Sequence, residues 1–252
     1  MIWSLERRLI FPGAGDPSWM DPPRLLNVQD VFLSLSDGTR IHAWWLPVEG
    51  TPKGAILYAH GNGGNLSHRA GLLARWRHEL ALPVLIFDYP GYGKSEGQPT
   101  EQNCIAAAEA AYQWLVEQQQ LSGHEIILLG SSLGGGVALD LAARLPFRML
   151  ICCSTFTSIP DMAQRQFPWL PARWLVRTRF DNRARLRDVL GPVFLAHGSA
   201  DTLIPMEMSQ TLHDLAREPR RLYIEPGLGH VQPESPQFFE AVRAFLRDTQ
   251  TK

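Results

Sequence analysis

The chain has 252 residues, of which 45% are hydrophobic and 19% charged, and its formal net charge is −1 at neutral pH. A chain of this length and composition suits one globular unit, and we predict a single domain over residues 1–252. A nearly balanced charge gives no overall field that would attract nucleic acid, and the sequence has no basic tail or RNA-binding motif. No nucleic-acid partner is therefore expected.

The sequence contains no recognisable metal or redox motif. Its three cysteines are too few for a disulfide framework, and neither CxxC nor HExxH occurs. Two of them, Cys152 and Cys153, are adjacent within the apolar run RMLICCSTF, which indicates a buried, reduced pair. We therefore predict that the protein uses neither a metal nor an organic cofactor.

The N-terminal stretch MIWSLERRLIFPG has too short an apolar core for a signal peptide, because charged residues begin at Glu6. No run in the chain approaches the roughly 18 apolar residues of a membrane span. We predict a cytoplasmic protein and keep, as an alternative, a peripheral membrane contact through Ile2, Trp3 and Leu5. Nothing in the sequence indicates an oligomeric state.

A β-hairpin is the first predicted pair of strands. The segment VFLSLSDGTRIHAWWLP alternates apolar and polar residues on both sides of Asp37-Gly38, a pair that favours a tight turn. Short apolar runs typical of buried parallel strands follow: GAILYAH, PVLIFDYP, EIILLGS, RMLICCS, PVFLAHG and RRLYIEP.

Helical periodicity appears between most of these runs. Apolar residues on one helical face mark three predicted helices: Leu72, Leu73, Trp76 and Leu80; Ile105, Ala108, Tyr112 and Leu115; and Phe238, Val242, Phe245 and Leu246. A hairpin followed by repeated strand–helix units predicts an α/β fold with a mostly parallel central sheet and helices on both faces.

The segment 157–187 interrupts this alternation. It has no strand pattern, contains three prolines and is too long for a simple connection between two strands. We predict that it is a small helical lid, or cap, inserted over the ends of the strands.

A nucleophile elbow is predicted at residues 130–134, where GSSLG satisfies the pattern G-x-S-x-G after a strand and before a helix. Only Ser132 has glycine two positions away on both sides. A serine on a sharp strand-to-helix turn leaves no room for larger side chains at those positions. We therefore predict Ser132 as a nucleophile and Ser131 as a spacer.

A serine hydroxyl needs a base to take its proton and a third group to orient that base. His230 follows the last predicted strand, and Asp201 follows the strand before it. The order Ser132, Asp201, His230 is the order in α/β-hydrolases, and all three lie at carboxyl ends of strands, where open α/β folds place their sites. We predict these three residues as the catalytic triad.

Three other residues compete for these roles. His197 precedes the aspartate in the same motif, where a role in bracing the loop is expected, and His213 has the position of a helix-surface residue. Glu225 is a possible substitute for Asp201 as the orienting acid. Its position at the end of a strand, close before His230, makes it the weaker candidate. Asp201 remains the favoured acid.

An oxyanion hole is predicted from the glycine-rich segment YAHGNGGN, because backbone N–H groups can approach an oxyanion closely where glycines surround them. We assign this role to the backbone N–H groups of Asn62 and Leu133. His60 is expected to hold the loop, and Asn65 is expected to cap the next helix.

The segment DYPGYGKSEG suggests a different class of protein, because Gly93-Lys94-Ser95 resembles the end of a phosphate-binding loop. Such a loop needs a further glycine five residues before its second glycine. That position is Asp88. A nucleotide hydrolase is therefore excluded.

Four segments, HGNGGN, DYPGYGKSEG, GSSLGG and HGSADTLIP, together with the closing histidine resemble the α/β-hydrolase superfamily over about residues 28–248. Within it they resemble a branch of single-domain serine hydrolases that includes eukaryotic protein depalmitoylases. The depalmitoylases carry a cysteine-rich N-terminal anchor, whereas the first cysteine here is Cys104. The resemblance therefore does not imply depalmitoylation.

The resemblance implies the same roles for the same residues. It implies Ser132 as nucleophile, His230 as base and Asp201 as the orienting acid, with Asn62 and Leu133 as oxyanion donors. Superfamily members that cleave carbon–halogen bonds or epoxides use an aspartate nucleophile, so serine at position 132 argues against both reactions.

These residues predict a serine hydrolase that cleaves carboxylic esters or thioesters through an acyl-serine intermediate, with a small or lipid-like acyl substrate. One alternative is an amidase or peptidase, because the same triad can protonate a leaving amine. A second alternative is a binding protein that keeps the fold without turnover.

The predicted lid is rich in aromatic residues and arginines. Phe167, Trp169 and Trp174 either pack on the body of the protein or line an acyl pocket above the serine. Residues 161–188 contain seven arginines and only three aspartates. The arginines are Arg165, Arg173, Arg177, Arg179, Arg183, Arg185 and Arg187, and the aspartates are Asp161, Asp181 and Asp188. The arginines either face water or favour anionic substrates or anionic lipid surfaces.

Overall fold

The computed structural model describes residues 2–50 and 52–250, and at positions 2–4 and 250 it describes the backbone alone. By its internal contacts the chain divides into two compact units, Met1–Ile127 and Leu128–Lys252. The single-domain boundary stays a prediction. No helix within the described residues is both long and apolar enough to cross a bilayer.

The first unit begins with an amphipathic helix and contains four strands in the order β1-β2-β4-β3. Strands β1 and β2 form the predicted antiparallel hairpin, β2 pairs antiparallel with β4, and β3 pairs parallel with β4. The elements are α1 (Ile2–Ile10), β1 (Gln29–Ser34), β2 (Arg40–Leu46), β3 (Ala55–Ala59), α2 (Ala70–Leu80), β4 (Val84–Phe87) and α3 (Glu101–Gln118).

Burial in this unit follows the sequence pattern. Every residue of β3 and β4 is buried, as expected for strands that helices cover on both faces. Helix α2 buries Leu73 and Trp76, two of the four residues that predicted it. At the N-terminus Leu5 is exposed, and the side chains of Ile2 and Trp3 lie outside the described residues. The peripheral contact predicted there therefore stays a prediction.

The second unit has strands in the order β5-β6-β7-β8, and the pairs β6–β7 and β7–β8 are parallel. Strand β5 starts two residues before the boundary. The elements are β5 (Ile126–Ser131), α4 (Leu133–Ala142), β6 (Met149–Cys153), α5 (Ile159–Gln166), α6 (Ala172–Leu175), α7 (Asn182–Leu186), β7 (Val193–Gly198), α8 (Met206–Leu215), β8 (Arg220–Glu225) and α9 (Pro236–Gln250).

The predicted fold class is confirmed. After the hairpin, strands and helices alternate along the chain, and each apolar run that predicted a strand contains one. The segment 157–187 consists of the short helices α5, α6 and α7 with no strand among its described residues, in agreement with its predicted helical character. Its boundaries as a lid stay a prediction.

Candidate active site

Ser132 lies in the turn between β5 and α4, both in the second unit. Its backbone has φ 52° and ψ −116°, a left-handed conformation that a non-glycine residue rarely adopts. The backbone is held on both sides. Its N–H donates to Cys153 O at 2.9 Å, and its carbonyl accepts from Thr155 Oγ1 at 2.9 Å. The strain is therefore fixed by the end of β6, and the hydroxyl stands at the carboxyl end of β5.

The glycines around this serine are required by close packing. A Cβ atom at Gly130 would lie 2.2 Å from the carbonyl oxygen of Gly134. A Cβ atom at Gly135 would lie 2.4 Å from Thr155 Oγ1. Both distances are far inside van der Waals contact. The glycines thus allow α4 to start directly above the strand and to pack against the end of β6.

The carboxylate of Asp201 is fully buried in the loop after β7 and accepts four hydrogen bonds. Its Oδ1 accepts from the backbone N–H groups of Leu203 and Ile204, both at 2.9 Å. Its Oδ2 accepts from His230 Nδ1 at 2.7 Å and from His197 Nε2 at 3.1 Å. A carboxylate with this many donors is held in one orientation.

His230 lies between the two other predicted triad residues. Because Asp201 Oδ2 is an acceptor, His230 Nδ1 carries the proton and donates it across 2.7 Å. The lone pair of Nε2 then faces Ser132 Oγ at 3.2 Å. This tautomer and distance suit a base that takes the serine proton. The structure thus brings all three residues together, and their catalytic roles stay predictions.

A second histidine, His197, supports the carboxylate from the other side. Its ring is fully buried, and its Nδ1 lies 2.7 Å from Ser209 Oγ. Its Nε2 lies 2.8 Å from Ile204 O, so Nε2 carries the proton that it shares with Asp201. Burial lowers the pKa of His197, and this outweighs the opposing effect of the neighbouring carbonyl and carboxylate. His197 is therefore a neutral donor, in agreement with the predicted bracing role.

The rival acid, Glu225, is occupied elsewhere. Its Oε2 accepts from Tyr223 Oη at 3.0 Å and from Ser235 Oγ at 2.6 Å. These bonds fix the start of α9 to the end of β8. The geometry therefore favours Asp201 over Glu225 as the partner of His230.

Two hydrogen bonds that the sequence did not indicate hold the loop that carries His230. Ser154 Oγ donates to Val231 O at 3.1 Å, and Ser131 Oγ donates to Gln232 Oε1 at 2.6 Å. Ser154 also adopts a left-handed conformation, with φ 48°. Its position directly after β6 is the only sequence signal for this role. Ser131, the predicted spacer of the elbow, thus also holds this loop, through its hydrogen bond to Gln232.

Leu133, one of the two predicted oxyanion donors, is the first residue of α4. The first N–H groups of a helix have no partner within the helix, and the helix dipole favours negative charge there. The N–H of Leu133 is thus suited to bind a developing oxyanion beside Ser132. This role stays a prediction.

Asn62, the second predicted donor, lies in the first unit, in the loop after β3. Its side-chain amide donates to Ile10 O at 2.9 Å, and its carbonyl accepts from Tyr92 Oη at 2.9 Å. Its backbone is thus fixed, and its role as an oxyanion donor stays a prediction.

The two supporting residues predicted in this loop are found as expected. The buried His60 donates from Nδ1 to Gly61 O at 2.6 Å, and its carbonyl accepts from Tyr89 Oη at 2.5 Å. Asn65 caps the 3₁₀ helix Leu66–Arg69, which leads into α2, and its side chain accepts from Ser67 N at 3.0 Å. Both residues hold the loop by hydrogen bonds within the first unit.

The cysteines near the serine are structural. Cys152 and Cys153 are free, buried thiols in β6, as the sequence indicated. Burial raises the pKa of Cys152 to about 12 and also raises the pKa of Cys153, so neither is a thiolate at neutral pH. Among the described residues no group of three or more His, Cys, Asp or Glu side chains could hold a metal ion.

Comparison with known protein families decides the family. A family model described as the alpha/beta hydrolase fold matches residues 54–182, about half of the chain. The chain belongs to the α/β-hydrolase fold family. The resemblance inferred from the sequence motifs is confirmed.

Related sequences match nearly the whole of this α/β-hydrolase. An uncharacterized protein of Mycobacterium tuberculosis is 38% identical over 253 aligned positions, gaps included, and the alignment covers 98% of this chain and 89% of the relative. The alpha/beta hydrolase domain-containing protein WAV2 of Arabidopsis thaliana is 31% identical, with 89% of this chain and 80% of WAV2 covered.

A solved structure shows the same fold. The esterase Pf2001 of Pyrococcus furiosus superposes with a TM-score of 0.74 at 19% identity, over 92% of this chain and 99% of the esterase chain. At this identity the likeness shows the fold.

The aromatic residues predicted to line the pocket differ in burial. Trp169 and Trp174 of this α/β-hydrolase are 75% and 83% exposed, whereas Phe167 is half-buried. Of the two alternatives predicted for these residues, packing on the body of the protein is therefore wrong for the two tryptophans. They lie on a turn and on the short helix α6, which is too small to bury side chains of that size. A role in an acyl pocket stays a prediction.

Proposed function

We propose that this α/β-hydrolase is a serine hydrolase that cleaves carboxylic esters or thioesters through an acyl-Ser132 intermediate. The observation that carries the proposal is the position of His230, with Nε2 at 3.2 Å from Ser132 Oγ and Nδ1 at 2.7 Å from Asp201 Oδ2. This arrangement provides a nucleophile, a base and a group that orients the base.

The proposed reaction has two half-reactions. In the first, His230 Nε2 takes the proton of Ser132 Oγ while Oγ attacks the carbonyl carbon of the substrate. The resulting oxyanion is stabilised by the N–H of Leu133 at the start of α4. The tetrahedral intermediate then expels the alcohol or thiol, which receives the proton from His230.

In the second half-reaction water replaces the alcohol or thiol. His230 takes a proton from the water, whose oxygen attacks the acyl carbon. Collapse of the second intermediate releases the carboxylic acid and returns the proton to Ser132 Oγ. Asp201 keeps Nδ1 protonated throughout and stabilises the imidazolium without accepting its proton.

A fluorophosphonate probe tests the nucleophile directly. We expect the wild-type protein to be labelled once, at Ser132, and Ser132→Ala to abolish labelling. Ser131→Ala is the matched control, because it removes the adjacent hydroxyl, and it should still be labelled. A well-folded wild-type protein that resists the probe would contradict the proposal.

Substrates that differ only in the bond to be cleaved identify the type of bond that the protein hydrolyses. Esters, thioesters and anilides with the same acyl group, compared on the wild type and on Ser132→Ala, should show faster ester or thioester cleavage. Faster anilide cleavage would make the protein an amidase. No hydrolysis above the Ser132→Ala background would favour a binding protein without turnover.

The acyl chain is the next variable. In the same assay, esters of increasing acyl length measure the size of the acyl site. If the aromatic residues of the lid line that site, Trp169→Ala with Trp174→Ala should raise KM for long acyl chains more than for acetate esters. Equal effects on both would remove the two tryptophans from the acyl site.

A further inference from the structure

The middle of the 157–187 segment exposes its largest apolar side chains. We define the lid tip as residues 162–180. Within it Trp169 is 75%, Trp174 83% and Leu175 59% exposed. Tryptophan is highly buried in most folded proteins. Two tryptophans and a leucine this exposed, within seven residues of chain, form an apolar surface patch of the kind that marks an interaction site.

The lid tip is also positively charged. It contains four arginines, Arg165, Arg173, Arg177 and Arg179, and no aspartate, glutamate or lysine. The four side chains are exposed, although Arg173 also pairs with Asp161, which lies just outside the lid tip. The whole chain, in contrast, has a net charge of −1. The patch therefore combines tryptophan with a local excess of positive charge.

Hydrogen bonds give the lid tip a defined shape. Gln164 Nε2 donates to Leu170 O at 2.9 Å, and Trp174 N donates to Pro171 O at 3.0 Å. Near its C-terminal end Arg179 O accepts from the N–H of Ile159, which precedes the lid tip, at 2.9 Å. The exposed tryptophans thus project from a folded segment, and their exposure does not come from a chain without structure.

We propose that the lid tip binds the surface of anionic lipid membranes. Tryptophan rings partition into the interface between headgroups and acyl chains, and arginines are attracted to anionic headgroups within about a Debye length, roughly 10 Å. The absence of any acidic residue from the lid tip gives charge complementarity to such a surface. A lipid surface also needs no groove, and it accommodates side chains that project from a turn and a short helix.

Vesicle flotation tests this proposal. We expect the wild-type protein to float with phosphatidylcholine vesicles that contain phosphatidylglycerol at low salt. It should float much less with phosphatidylcholine alone and dissociate from the anionic vesicles as salt rises. Flotation that is absent, or equal on neutral and anionic vesicles, would overturn the proposal.

Variants assign the binding to the patch. Trp169→Ala with Trp174→Ala should lower the partition coefficient on anionic vesicles about tenfold or more, because two interfacial anchors are lost. Leu25→Ala with Leu190→Ala is the matched control, because these exposed leucines lie outside the lid tip. The control should float like the wild type. A tryptophan double variant that floats like the wild type would overturn the proposal.

The charge contribution has its own pair of variants. Arg165→Gln with Arg177→Gln should weaken flotation and flatten its salt dependence, whereas Arg243→Gln with Arg247→Gln in α9 should not. Circular dichroism and thermal melting confirm that each variant is folded. An equal effect of the two arginine pairs would overturn the assignment to the lid tip.

Membrane binding is separable from the proposed hydrolysis. Ser132→Ala should float like the wild type although it is not labelled by fluorophosphonate. A protein that is labelled but does not float would keep the proposed function and overturn the lipid surface. A protein that floats but is not labelled would keep the proposed lipid surface and overturn the proposed function.

Discussion

Asp201 shows how one buried side chain organises the candidate site. Its two oxygens have different partners. Oδ1 is held by backbone N–H groups of its own loop, whereas Oδ2 faces the two imidazoles of His197 and His230. The loop thus fixes the carboxylate, and the carboxylate fixes the tautomer of His230.

Substitution of asparagine for Asp201 should preserve the fold and remove most of the activity. The amide oxygen can keep the bonds from Leu203 and Ile204, but the amide N–H₂ cannot accept from His230 Nδ1. His230 then loses the tautomer in which Nε2 accepts, and we expect kcat for a p-nitrophenyl ester to fall by about 10⁴, as in comparable triads.

Glu225→Gln is the control for this substitution. It changes the rival acid, whose carboxylate accepts from Tyr223 and Ser235. We expect it to retain activity. Near wild-type turnover in Asp201→Asn, together with a loss in Glu225→Gln, would transfer the orienting role to Glu225.

Ser154 combines backbone strain with a hydrogen bond to the loop of His230. Its φ of 48° costs a non-glycine residue about 1–2 kcal/mol, and its Oγ donates to Val231 O at 3.1 Å. Ser154→Ala removes the bond and keeps the strain, whereas Ser154→Gly removes both. We expect kcat to fall in both variants by up to about 10², because His230 is less well positioned.

The two variants should differ in stability. Relief of strain favours glycine, and the larger entropy of unfolded glycine offsets about 0.5–1 kcal/mol of this gain. Urea unfolding should therefore show Ser154→Gly as more stable than Ser154→Ala by up to about 1 kcal/mol. An alanine variant more stable than the glycine variant by about 0.5–1 kcal/mol would show that position 154 carries no strain.

At the level of elements, the turn between β5 and α4 depends on the absence of a side chain at position 130. A Cβ atom there would lie 2.2 Å from the backbone oxygen of Gly134, which cannot move without displacing α4. Gly130→Ala should therefore destabilise the protein by about 1–3 kcal/mol or more and reduce activity with it. Urea unfolding and ester hydrolysis measure the two effects.

Gly71→Ala is the matched control for this substitution. Gly71 is exposed in the first turn of α2, and a Cβ atom there would meet nothing within 4 Å. Alanine is the better helix former, so this variant should be neutral or stabilised by up to about 1 kcal/mol. Equal unfolding midpoints for Gly130→Ala and the wild type would show that the elbow can accept a side chain.

The elements themselves were largely predictable from the sequence. Buried strands such as β3 and β7 consist of continuous apolar runs, and α3 and α9 carry apolar residues at helical spacing. Strand order was not predictable in the same way, because the position of β4 between β2 and β3 depends on pairing between distant segments.

The candidate site was predictable only in part, for a related reason. The three proposed triad residues each lie at the end of a predicted strand, which short motifs reveal. The tie from Ser154 to Val231 joins residues 77 positions apart, and no local pattern encodes it. The exposure of Trp174 was not predictable either, because an aromatic residue in a short helix is usually buried.

At the scale of the whole molecule, each compact unit contains a fully buried histidine whose pKa is lowered. These are His42 in the first unit and His197 in the second. In both, burial lowers the pKa. This effect outweighs a hydrogen bond that raises the pKa, in which Asp30 is the acceptor for His42 and Ile204 O is the acceptor for His197. Both rings are thus kept neutral in the folded state at a pH where an unfolded histidine gains a proton.

Stability should therefore decrease as the pH is lowered through the unfolded histidine pKa, about 6.5. Below this value the unfolded chain binds protons that the folded chain does not, so the free energy of unfolding falls with pH until the lowered folded-state pKa is reached. The carboxyl of Asp161 affects the free energy of unfolding only at lower pH, because its pKa in the folded state is lowered. Its burial would raise the pKa, but hydrogen bonds from Thr157, Ser158 and Arg173 outweigh burial and lower it.

Urea unfolding at a series of pH values between about 5 and 8 measures this dependence, and one histidine at a time can be removed from it. His197→Gln should reduce the slope by up to about 1.4 kcal/mol per pH unit, the contribution of one proton, and His42→Gln should act in the same way. His78→Gln is the matched control, because the side chain of His78 is 82% exposed, and its slope should equal that of the wild type. A wild-type stability that is constant across this range, or a slope that neither buried-histidine variant changes, would show that the folded protein accepts protons on these rings as readily as the unfolded chain.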